Sequence, residues 1–467
     1  MHTFTSTSTS ASHFYFSLRY SLFGIPCSKE LWCRRTPAQN LPLPPTVRLM
    51  NQLFKSMKSF HYYILISALA IITSCGTKVS QPTPSDGVTN NTTAPVETEA
   101  ANTNYPPAFE GQTRIAGVHT QTPYQAEVLN KNLNRPWGIA ALPDGRFLIT
   151  EKTGNMRIAS ATGTIGEPIT GIPEVNSAGQ GGLLGLCIDP AFEQNRMVYW
   201  VFSESQKDGN LTAVAKGRLA ADEKTIENAT VIYRATPAYA SNLHYGGRIL
   251  FSKEGYLYIS TGERSDIKTR PLAQDLKAGL GKIIRITPDG KPAEGNPFIG
   301  QSNARPEIFS YGHRNVQGIA FHPETGDLWE AEFGPRGGDE VNLIMPGKNY
   351  GWPTITYGIE YSGGKIGDSI QQKPGMEQPI YYWDPVISPS GITFYNSDVI
   401  PEWKNNLFVS SLSGTHICRL VIEDNKVTGE ERLLADEGER FRDITQGKDG
   451  ALYAITDGGR LYRISKK

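Results

Sequence analysis

The chain has 467 residues, with 46 lysines and arginines balanced by 46 aspartates and glutamates, so its formal net charge at pH 7 is zero. This balance argues against a nucleic-acid or membrane-surface partner, because both attract proteins with a basic excess. The 47 glycines, 31 prolines and frequent aromatic residues are typical of many short strands joined by tight turns, rather than of long helices.

The first predicted element is a signal peptide of the lipoprotein type at residues 50–75. Lys58 precedes an apolar stretch over Tyr62–Ile72, and the sequence ITSCG follows, in which the cysteine is Cys75. The apolar stretch suits a signal-peptide core, because it is too short to span a bilayer comfortably. The sequence around Cys75 resembles a bacterial lipobox, which implies cleavage before this cysteine and its lipidation; the alternative is an ordinary secretory signal with an incidental cysteine. We therefore expect an exported protein, periplasmic or at the cell surface, with a lipid anchor through Cys75.

Composition divides the remaining N-terminal region into two further segments. Residues 1–49 are unusual ahead of an export signal, so we interpret them as an unstructured or non-native extension upstream of a start at Met50 or Met57. The segment after the signal peptide, which we place over residues 76–120, is rich in polar residues and proline. It predicts a disordered tether, because it has too little apolar surface to bury.

A repeated pattern follows over residues 121–467, the predicted folded domain. Each unit has a turn containing proline, glycine or aspartate, then a short apolar strand, a glycine-containing turn and an arginine. Six such units begin at residues 142, 189, 252, 322, 401 and 447. Repeated four-stranded antiparallel units close into a ring, because closure covers faces that no single unit can bury. The pattern predicts an all-β, six-bladed β-propeller of four-stranded antiparallel blades; the alternative is a pair of large β-sandwiches.

Several segments rich in charged, amide or glycine residues interrupt these units. Because ligands of propellers bind on the axis, where loops of all blades converge, we expect functional residues to be scattered along the sequence. The segments are Arg135–Gly138, Gly179–Gly182, His244–Arg248, Tyr311–Gln317, Glu332–Pro353 and Arg440–Asp443. Taken singly, each also fits a structural turn or a salt-bridged strand end.

The segment Glu332–Pro353 is the most informative of them. It places Glu332, Asp339 and Glu340 around a Gly-Pro-Arg-Gly-Gly turn, whose glycines allow carbonyl groups to point inward together. Carboxylates beside exposed carbonyls are the ligands that Ca²⁺ prefers. A charged surface hairpin loop is the alternative.

Together and in this order, the segments resemble the soluble PQQ-dependent aldose sugar dehydrogenases of the glucose/sorbosone dehydrogenase family. The resemblance runs from about Arg135 to the C-terminus. It implies a six-bladed propeller that binds pyrroloquinoline quinone (PQQ) and calcium on its axis. No glycine pattern typical of a nucleotide cofactor competes with this interpretation.

The resemblance also implies ligand contacts for individual residues. Cofactor contacts fall on Gln180, Arg314, Asn315, Tyr361, Arg440 and Arg442. Guanidinium groups suit a planar tricarboxylate such as PQQ, because they bind carboxylates bidentately and keep their charge. The carbonyls of Gly334 and Pro335 match ligands of a catalytic Ca²⁺, and Glu340 with the Tyr350 carbonyl matches a second, structural calcium site.

The catalytic role implied for His244 is that of general base. A neutral imidazole can accept a proton near neutral pH. The resemblance implies that His244 takes the proton of the sugar C1 hydroxyl, while the C1 hydride passes to a quinone whose carbonyl is polarised by Ca²⁺. The products would be an aldonolactone and reduced PQQ, which an external electron acceptor reoxidises.

Two positions depart from the family pattern. Ser413 stands where relatives often carry a lysine, and Phe333 stands where they carry glutamine or histidine. Each lost charge-assisted contact would weaken cofactor binding by about 1.5–3 kcal/mol. These departures favour one alternative, a non-redox ligand- or protein-binding propeller. The other alternative is a calcium-dependent lactonase-type propeller, which would not need His244 and the two C-terminal arginines. The identity of the sugar, and whether the protein is a monomer or a homodimer, stay open.

Overall fold

The computed structural model describes residues 94–467, in which twenty-three strands form six antiparallel sheets. The predicted extension, the signal peptide and Cys75 lie outside the described residues. Within residues 94–467, no helix has the length and apolar character needed to cross a membrane.

Each sheet is one blade, and in blades 1 to 5 the strands follow one another in the chain. Blade 1 contains β2 (Pro136–Ala141), β3 (Phe147–Glu151) and β4 (Asn155–Ala159). Blade 2 contains β5 (Leu183–Ile188), β6 (Met197–Gln206), β7 (Gly209–Leu219) and β8 (Ile226–Arg234). Blade 3 contains β9 (Gly246–Phe251), β10 (Leu257–Thr261), β11 (Lys282–Ile286) and β12 (Ile308–Tyr311).

The second half of the chain repeats this arrangement. Blade 4 contains β13 (Val316–Phe321), β14 (Leu328–Glu332), β15 (Asp339–Ile344) and β16 (Tyr381–Trp383). Blade 5 contains β17 (Pro389–Phe394), β18 (Leu407–Ser411), β19 (Ile417–Glu423) and β20 (Lys426–Leu433). Blade 6 contains β21 (Phe441–Gln446), β22 (Leu452–Thr456), β23 (Leu461–Lys466) and, from the start of the domain, β1 (Tyr124–Asn130). Within the described residues, the helical elements are α1 (Phe192–Asn195) and 3₁₀-helices at Arg270–Ala273, Pro401–Trp403 and Ala435–Glu437.

The six blades close into a ring. The first strands of successive blades contact one another, and β2 of blade 1 also contacts β21 of blade 6. Strand β1 pairs antiparallel with β23, so the two ends of the domain share one blade. The fourth strand of blade 1 is reduced to isolated bridges at Ile165 and Ile169. The predicted six-bladed β-propeller is confirmed.

Glycines on the inner strands let the blades approach closely at the axis. A Cβ atom added to Gly185 in β5 would lie 2.4 Å from the carbonyl oxygen of Gly247 in β9. A Cβ atom at Gly318 in β13 would meet the carbonyl oxygen of Ser390 in β17 at the same distance. Larger residues at these positions would push neighbouring blades apart, so the inner strands can converge only because these side chains are absent.

The predicted disordered tether over residues 76–120 is wrong for the described part, residues 94–120. Asp384 in blade 4 is buried and accepts hydrogen bonds of 2.8–2.9 Å from the backbones and side chains of Asn102 and Thr103. The fully buried Gln112 donates to the Pro379 carbonyl at 2.9 Å. The composition of this segment indicated that it could not form a hydrophobic core of its own. The segment is nevertheless ordered, because it makes polar contacts with residues of the propeller.

Candidate active site

A cavity of about 470 Å³ lies where loops and inner strands of the blades meet. Five of the residues singled out from the sequence line it, namely Gln180, His244, Tyr361, Arg440 and Arg442. Phe333, the departure before the Gly-Pro pair, lines it too. Segments that are far apart in the sequence therefore share one site, as expected for a propeller axis.

The cavity carries an excess of positive charge. Its lining contains four cationic side chains and one carboxylate, and these are Arg135, Lys152, Arg440, Arg442 and Asp457. Arg440 and Arg442 both contact Asp457, with Nε–Oδ distances of 3.0 and 2.8 Å. Burial raises the pKa of Asp457, but the two guanidinium groups outweigh burial and lower it overall. The carboxylate is therefore ionised, and the cavity suits a ligand with several negative charges.

His244 is held at the cavity wall by hydrogen bonds from its backbone and its ring. Its backbone has a φ of 47°, in the left-handed region, and its N–H donates to Gln180 Oε1 at 2.8 Å. The ring is buried, and Nδ1 lies 2.5 Å from Glu263 Oε1. Because a carboxylate oxygen accepts the Nδ1 proton, the other ring nitrogen, Nε2, is left as a proton acceptor.

The surroundings of His244 keep its imidazole neutral. Burial, followed by the positive charge of Arg314, lowers the pKa of His244, and Glu263 acts in the opposite direction; the net pKa is about 4. At neutral pH the ring is therefore unprotonated and able to accept a proton.

Glu263 was missed by the sequence analysis, although a local signal for it existed. Thr261 at the end of β10 pairs with Gly246 at the start of β9. Glu263 lies two residues after Thr261 and His244 lies two residues before Gly246, so continuing this antiparallel register places Glu263 opposite His244. Knowledge of the hairpin register would have identified the partner, because antiparallel neighbours face each other.

Arg314 and Asn315 are buried and are not in the cavity lining, although the charge of Arg314 acts on His244. Arg314 donates to the carbonyl oxygens of Phe333 and Gly334 at 3.0 and 2.6 Å. Asn315 Oδ1 accepts from the Gly246 N–H at 3.0 Å, while its Nδ2 is buried and has no partner in the described residues. A buried amide donor without an acceptor is costly, so this atom is a candidate ligand contact.

A second, smaller void of about 10 Å³ adjoins the first cavity. It has room for about one water-sized atom. Phe333 lines both spaces. The four predicted calcium ligands all line the small void, and they are Gly334, Pro335, Glu340 and Tyr350. The structure thus brings the two predicted calcium sites into one neighbourhood.

The carboxylates around this void are buried without enough positive partners. Burial and the negative charge of Glu332 raise the pKa values of Glu330 and Glu340 well above their usual range. Burial also raises the pKa of Asp339 to about 7, although this side chain accepts from the N–H groups of Gly334 and Ser388 at 2.7 and 2.6 Å. A divalent cation beside these oxygens would remove the unfavourable charge, since carboxylate and carbonyl oxygens are ligands that Ca²⁺ prefers.

Two further residues that the sequence analysis did not assign to a metal lie among the buried carboxylates near this void. One is Glu330, whose Oε2 is buried and has no partner within residues 94–467. The other is His313, whose ring stacks on Tyr350 at 4.7 Å and whose Nδ1 lies 3.3 Å from Glu332 Oε1. Potential ligand atoms of His313, Glu330 and Glu332 lie within 4.8 Å of one another.

The remaining predicted positions are at the cavity rim. Tyr361 lines the cavity but is 69% exposed. Ser413 is not in the cavity lining. Its hydroxyl oxygen lies 2.7 Å from that of Ser388, a residue that does line the cavity. No lysine reaches the cavity from the position of Ser413, whereas Lys152 reaches it from blade 1.

The folded domain is similar in sequence to known proteins. The sequence profile of the Glucose / Sorbosone dehydrogenase family matches residues 133–463. Over 346 residues the chain is 42% identical to the aldose sugar dehydrogenase YliI of Escherichia coli, covering 73% of this chain and 92% of that protein.

Solved structures show the same likeness. The crystal structure of the soluble aldose sugar dehydrogenase of Escherichia coli in its apo form superposes with a TM-score of 0.71 at 41% identity, over 74% of this chain and all of that one. The PQQ-bound aldose sugar dehydrogenase of Streptomyces coelicolor superposes with a TM-score of 0.61 at 30% identity, over 74% of this chain and 99% of that one.

Proposed function

Because the chain belongs to the glucose/sorbosone dehydrogenase family, we propose that it oxidises the C1 hydroxyl of aldose sugars to aldonolactones with PQQ and Ca²⁺ as cofactors. The observation that carries the proposal is the cationic cavity beside a buried, neutral histidine. The PQQ-bound relative from Streptomyces coelicolor supports the choice of quinone.

The residues of the cavity fit a planar tricarboxylate. Four cationic side chains against one carboxylate leave three positive charges, which would balance the three carboxylates of PQQ. Arg440 and Arg442 would hold carboxylates as bidentate partners. Asn315 is bonded to Gly246, which lines the cavity, and its unpartnered Nδ2 would donate to the cofactor. When bound, PQQ would supply a hydride acceptor, and Ca²⁺ would supply a Lewis acid for its carbonyl.

The residues around the small void fit calcium. Gly334 and Pro335 would hold the catalytic ion through their carbonyl oxygens, and Glu340 and Tyr350 would hold the structural one. The Gly334 carbonyl already accepts from Arg314, but a carbonyl oxygen has a second lone pair for a metal. Arg314 would then fix the direction of a ligand carbonyl as well as carry charge near the cofactor.

His244 would remove the proton of the sugar C1 hydroxyl through Nε2. Glu263 would orient the ring by holding the Nδ1 proton, and its negative charge would stabilise the imidazolium that forms. Gln180 would fix the backbone of His244, whose left-handed conformation is otherwise strained. Tyr361, at the exposed rim, would contact the cofactor or sugar from the solvent side.

Replacing Glu263 by glutamine should reduce kcat/KM by about 10–100-fold. The amide oxygen can still accept the Nδ1 proton, but the negative charge is lost. Because Glu263 raises the pKa of His244, which is about 4, its removal should also shift the acid limb of the kcat/KM profile to lower pH. Steady-state rates measured from pH 3.5 to 8 would show both effects.

The matched control is Glu254→Gln, which removes an exposed carboxylate in the turn between β9 and β10. This variant should keep the wild-type profile. An unchanged rate for Glu263→Gln, or an acid limb that moves to higher pH, would contradict the assigned role of Glu263.

The proposed function is tested by reconstitution. The apo protein is mixed with PQQ, Ca²⁺ or both, and dye reduction is followed with a panel of aldoses. We expect dye reduction only when both cofactors are present, with an aldonolactone as product. Absence of PQQ binding in the presence of Ca²⁺ would overturn the oxidoreductase proposal and favour a non-redox binding propeller.

Export, lipid anchoring through Cys75 and transfer of electrons to an external acceptor complete the proposal. They rest on the signal sequence and on the need to reoxidise the reduced quinone after each turnover.

A further inference from the structure

We propose that Lys152 binds one of the carboxylates of the quinone cofactor, an inference that rests on the proposed function. None of the family motifs identified in the sequence includes this lysine. Its assignment comes from its place in the cavity and from the small number of partners that it has among residues 94–467.

Lys152 is held in place through its backbone. It follows the last residue of β3, its N–H donates to the Arg135 carbonyl and its carbonyl accepts from Leu183, both at 3.0 Å. A Cβ atom at Gly182 would lie 2.2 Å from the Lys152 carbonyl oxygen and 2.6 Å from its Cγ. The glycine therefore permits the close packing that keeps this side chain at the cavity wall.

The ammonium group of Lys152 has few partners. Only 8% of the residue is exposed, and its Nζ donates to the Gly179 carbonyl. Within residues 94–467, no carboxylate lies within salt-bridge distance of Nζ. An ammonium has three donors, so most of the hydrogen-bonding capacity of this group remains available to a ligand.

The charged groups that face Lys152 are mostly of its own sign. Arg135 faces it from the segment before β2, and Arg442 faces it from β21 of blade 6. Burial, followed by these two charges, lowers the pKa of Lys152 to about 8. Asp457 acts in the opposite direction, but it is already shared between Arg440 and Arg442. The arrangement is unfavourable until an anion enters the cavity.

The source of that anion could be an acidic sugar or the cofactor, and the observations favour the cofactor. Lys152 lies beside the Gly179–Gln180 loop, and Gln180 holds the backbone of His244. Arg442, an expected cofactor contact, acts on Lys152 from the other side. A single carboxylate between Lys152 and Arg442 would satisfy both cations.

The proposal is tested by titrating apo protein with PQQ in the presence of Ca²⁺, following the fluorescence of tryptophan, since Trp137 lines the cavity. We expect Lys152→Met to weaken PQQ binding about 10–100-fold and Lys152→Arg to restore most of the affinity. Lys426→Met, which changes an exposed lysine in the outer strand β20, is the control and should bind PQQ as the wild type does.

A second measurement separates a direct contact from a structural role. Near pH 8.5 most of the Lys152 side chains are neutral in the free protein, and a bound carboxylate would raise the pKa of the group. Binding of PQQ should therefore take up protons, which calorimetry in buffers of different ionisation enthalpy detects. This uptake should be reduced in both Lys152→Met and Lys152→Arg, although only Lys152→Met loses affinity.

The outcomes are distinguishable from failure of the proposed function. If the wild type does not bind PQQ, the proposed function itself fails. If the wild type binds PQQ and Lys152→Met binds it equally well with equal proton uptake, the assignment of Lys152 is overturned. If Lys152→Met binds PQQ normally but has a raised KM only for uronic acids, Lys152 contacts the sugar. That result would also overturn the proposal that Lys152 binds the cofactor.

Discussion

Replacing His244 by glutamine should lower kcat about 10²–10⁴-fold, the usual contribution of a general base, while PQQ binding stays largely unchanged. Glutamine cannot accept the hydroxyl proton, but like histidine it carries a Cβ atom. Both residues therefore bear the steric cost of the left-handed backbone at this position, where φ is 47°. The comparison isolates the loss of the imidazole. Dye reduction at saturating aldose, together with PQQ titration, measures the two quantities.

His119→Gln is the control for this substitution, because His119 is exposed and lies in the N-terminal segment before β1. It should leave both kcat and PQQ affinity unchanged. A His244→Gln enzyme with the wild-type rate would show that another group removes the proton. A variant that no longer binds PQQ would instead show that His244 is needed to shape the site.

Removal of calcium should lower the free energy of unfolding, and the decrease should be larger at pH 8 than at pH 5. Ligand at 100 times its dissociation constant stabilises a fold by about 2.7 kcal/mol. The free energy of unfolding in urea, measured with Ca²⁺ and with a chelator at both pH values, tests the expectation.

The sign of the pH dependence follows from the raised pKa values. Without calcium, Asp339 has a pKa of about 7 and those of Glu330 and Glu340 are well above their usual range. The folded protein then binds more protons than the unfolded chain. The stability from these groups is fully present below their unfolded pKa values, near 4, and is lost as the pH rises through the folded values. Calcium reverses this trend, because it binds the ionised carboxylates.

Glu340→Gln should weaken the stabilisation by calcium and make the calcium-free protein less sensitive to pH. Glu324→Gln, in the exposed turn between β13 and β14, should behave as the wild type. Equal stabilisation of Glu340→Gln and wild type at every calcium concentration would exclude Glu340 as a ligand.

Much of the fold could be predicted because its signals are local. A strand and its turns leave a pattern within about ten residues, and six repeats of that pattern predicted six blades. The N-terminal segment was predicted wrongly because its order does not depend on its own composition. Asn102 and Thr103 are ordered by Asp384, which follows the last strand of blade 4 and is about 280 residues away in the sequence, so the local sequence does not indicate the contact.

The candidate site was predicted in part for a related reason. Residues such as Arg440, Arg442 and His244 were found because the segments around them resemble a family. Lys152 and Glu263 were missed, because each belongs to an ordinary-looking strand end. Their importance depends on what faces them, namely cations from blades 1 and 6 in one case and the His244 ring in the other.

The sequence by itself determined the repeated strands, the family and the kinds of chemistry present, because these depend on residue types and local spacing. Only the tertiary structure decided which charges meet and how far they are buried. Ring closure places Arg135 and Arg442 around Lys152, which has no carboxylate partner among residues 94–467. Burial keeps His244 neutral and, together with the charge of Glu332, raises the pKa of Glu330. Electrostatic energies depend on distance and on exclusion of water, and both are properties of the closed ring.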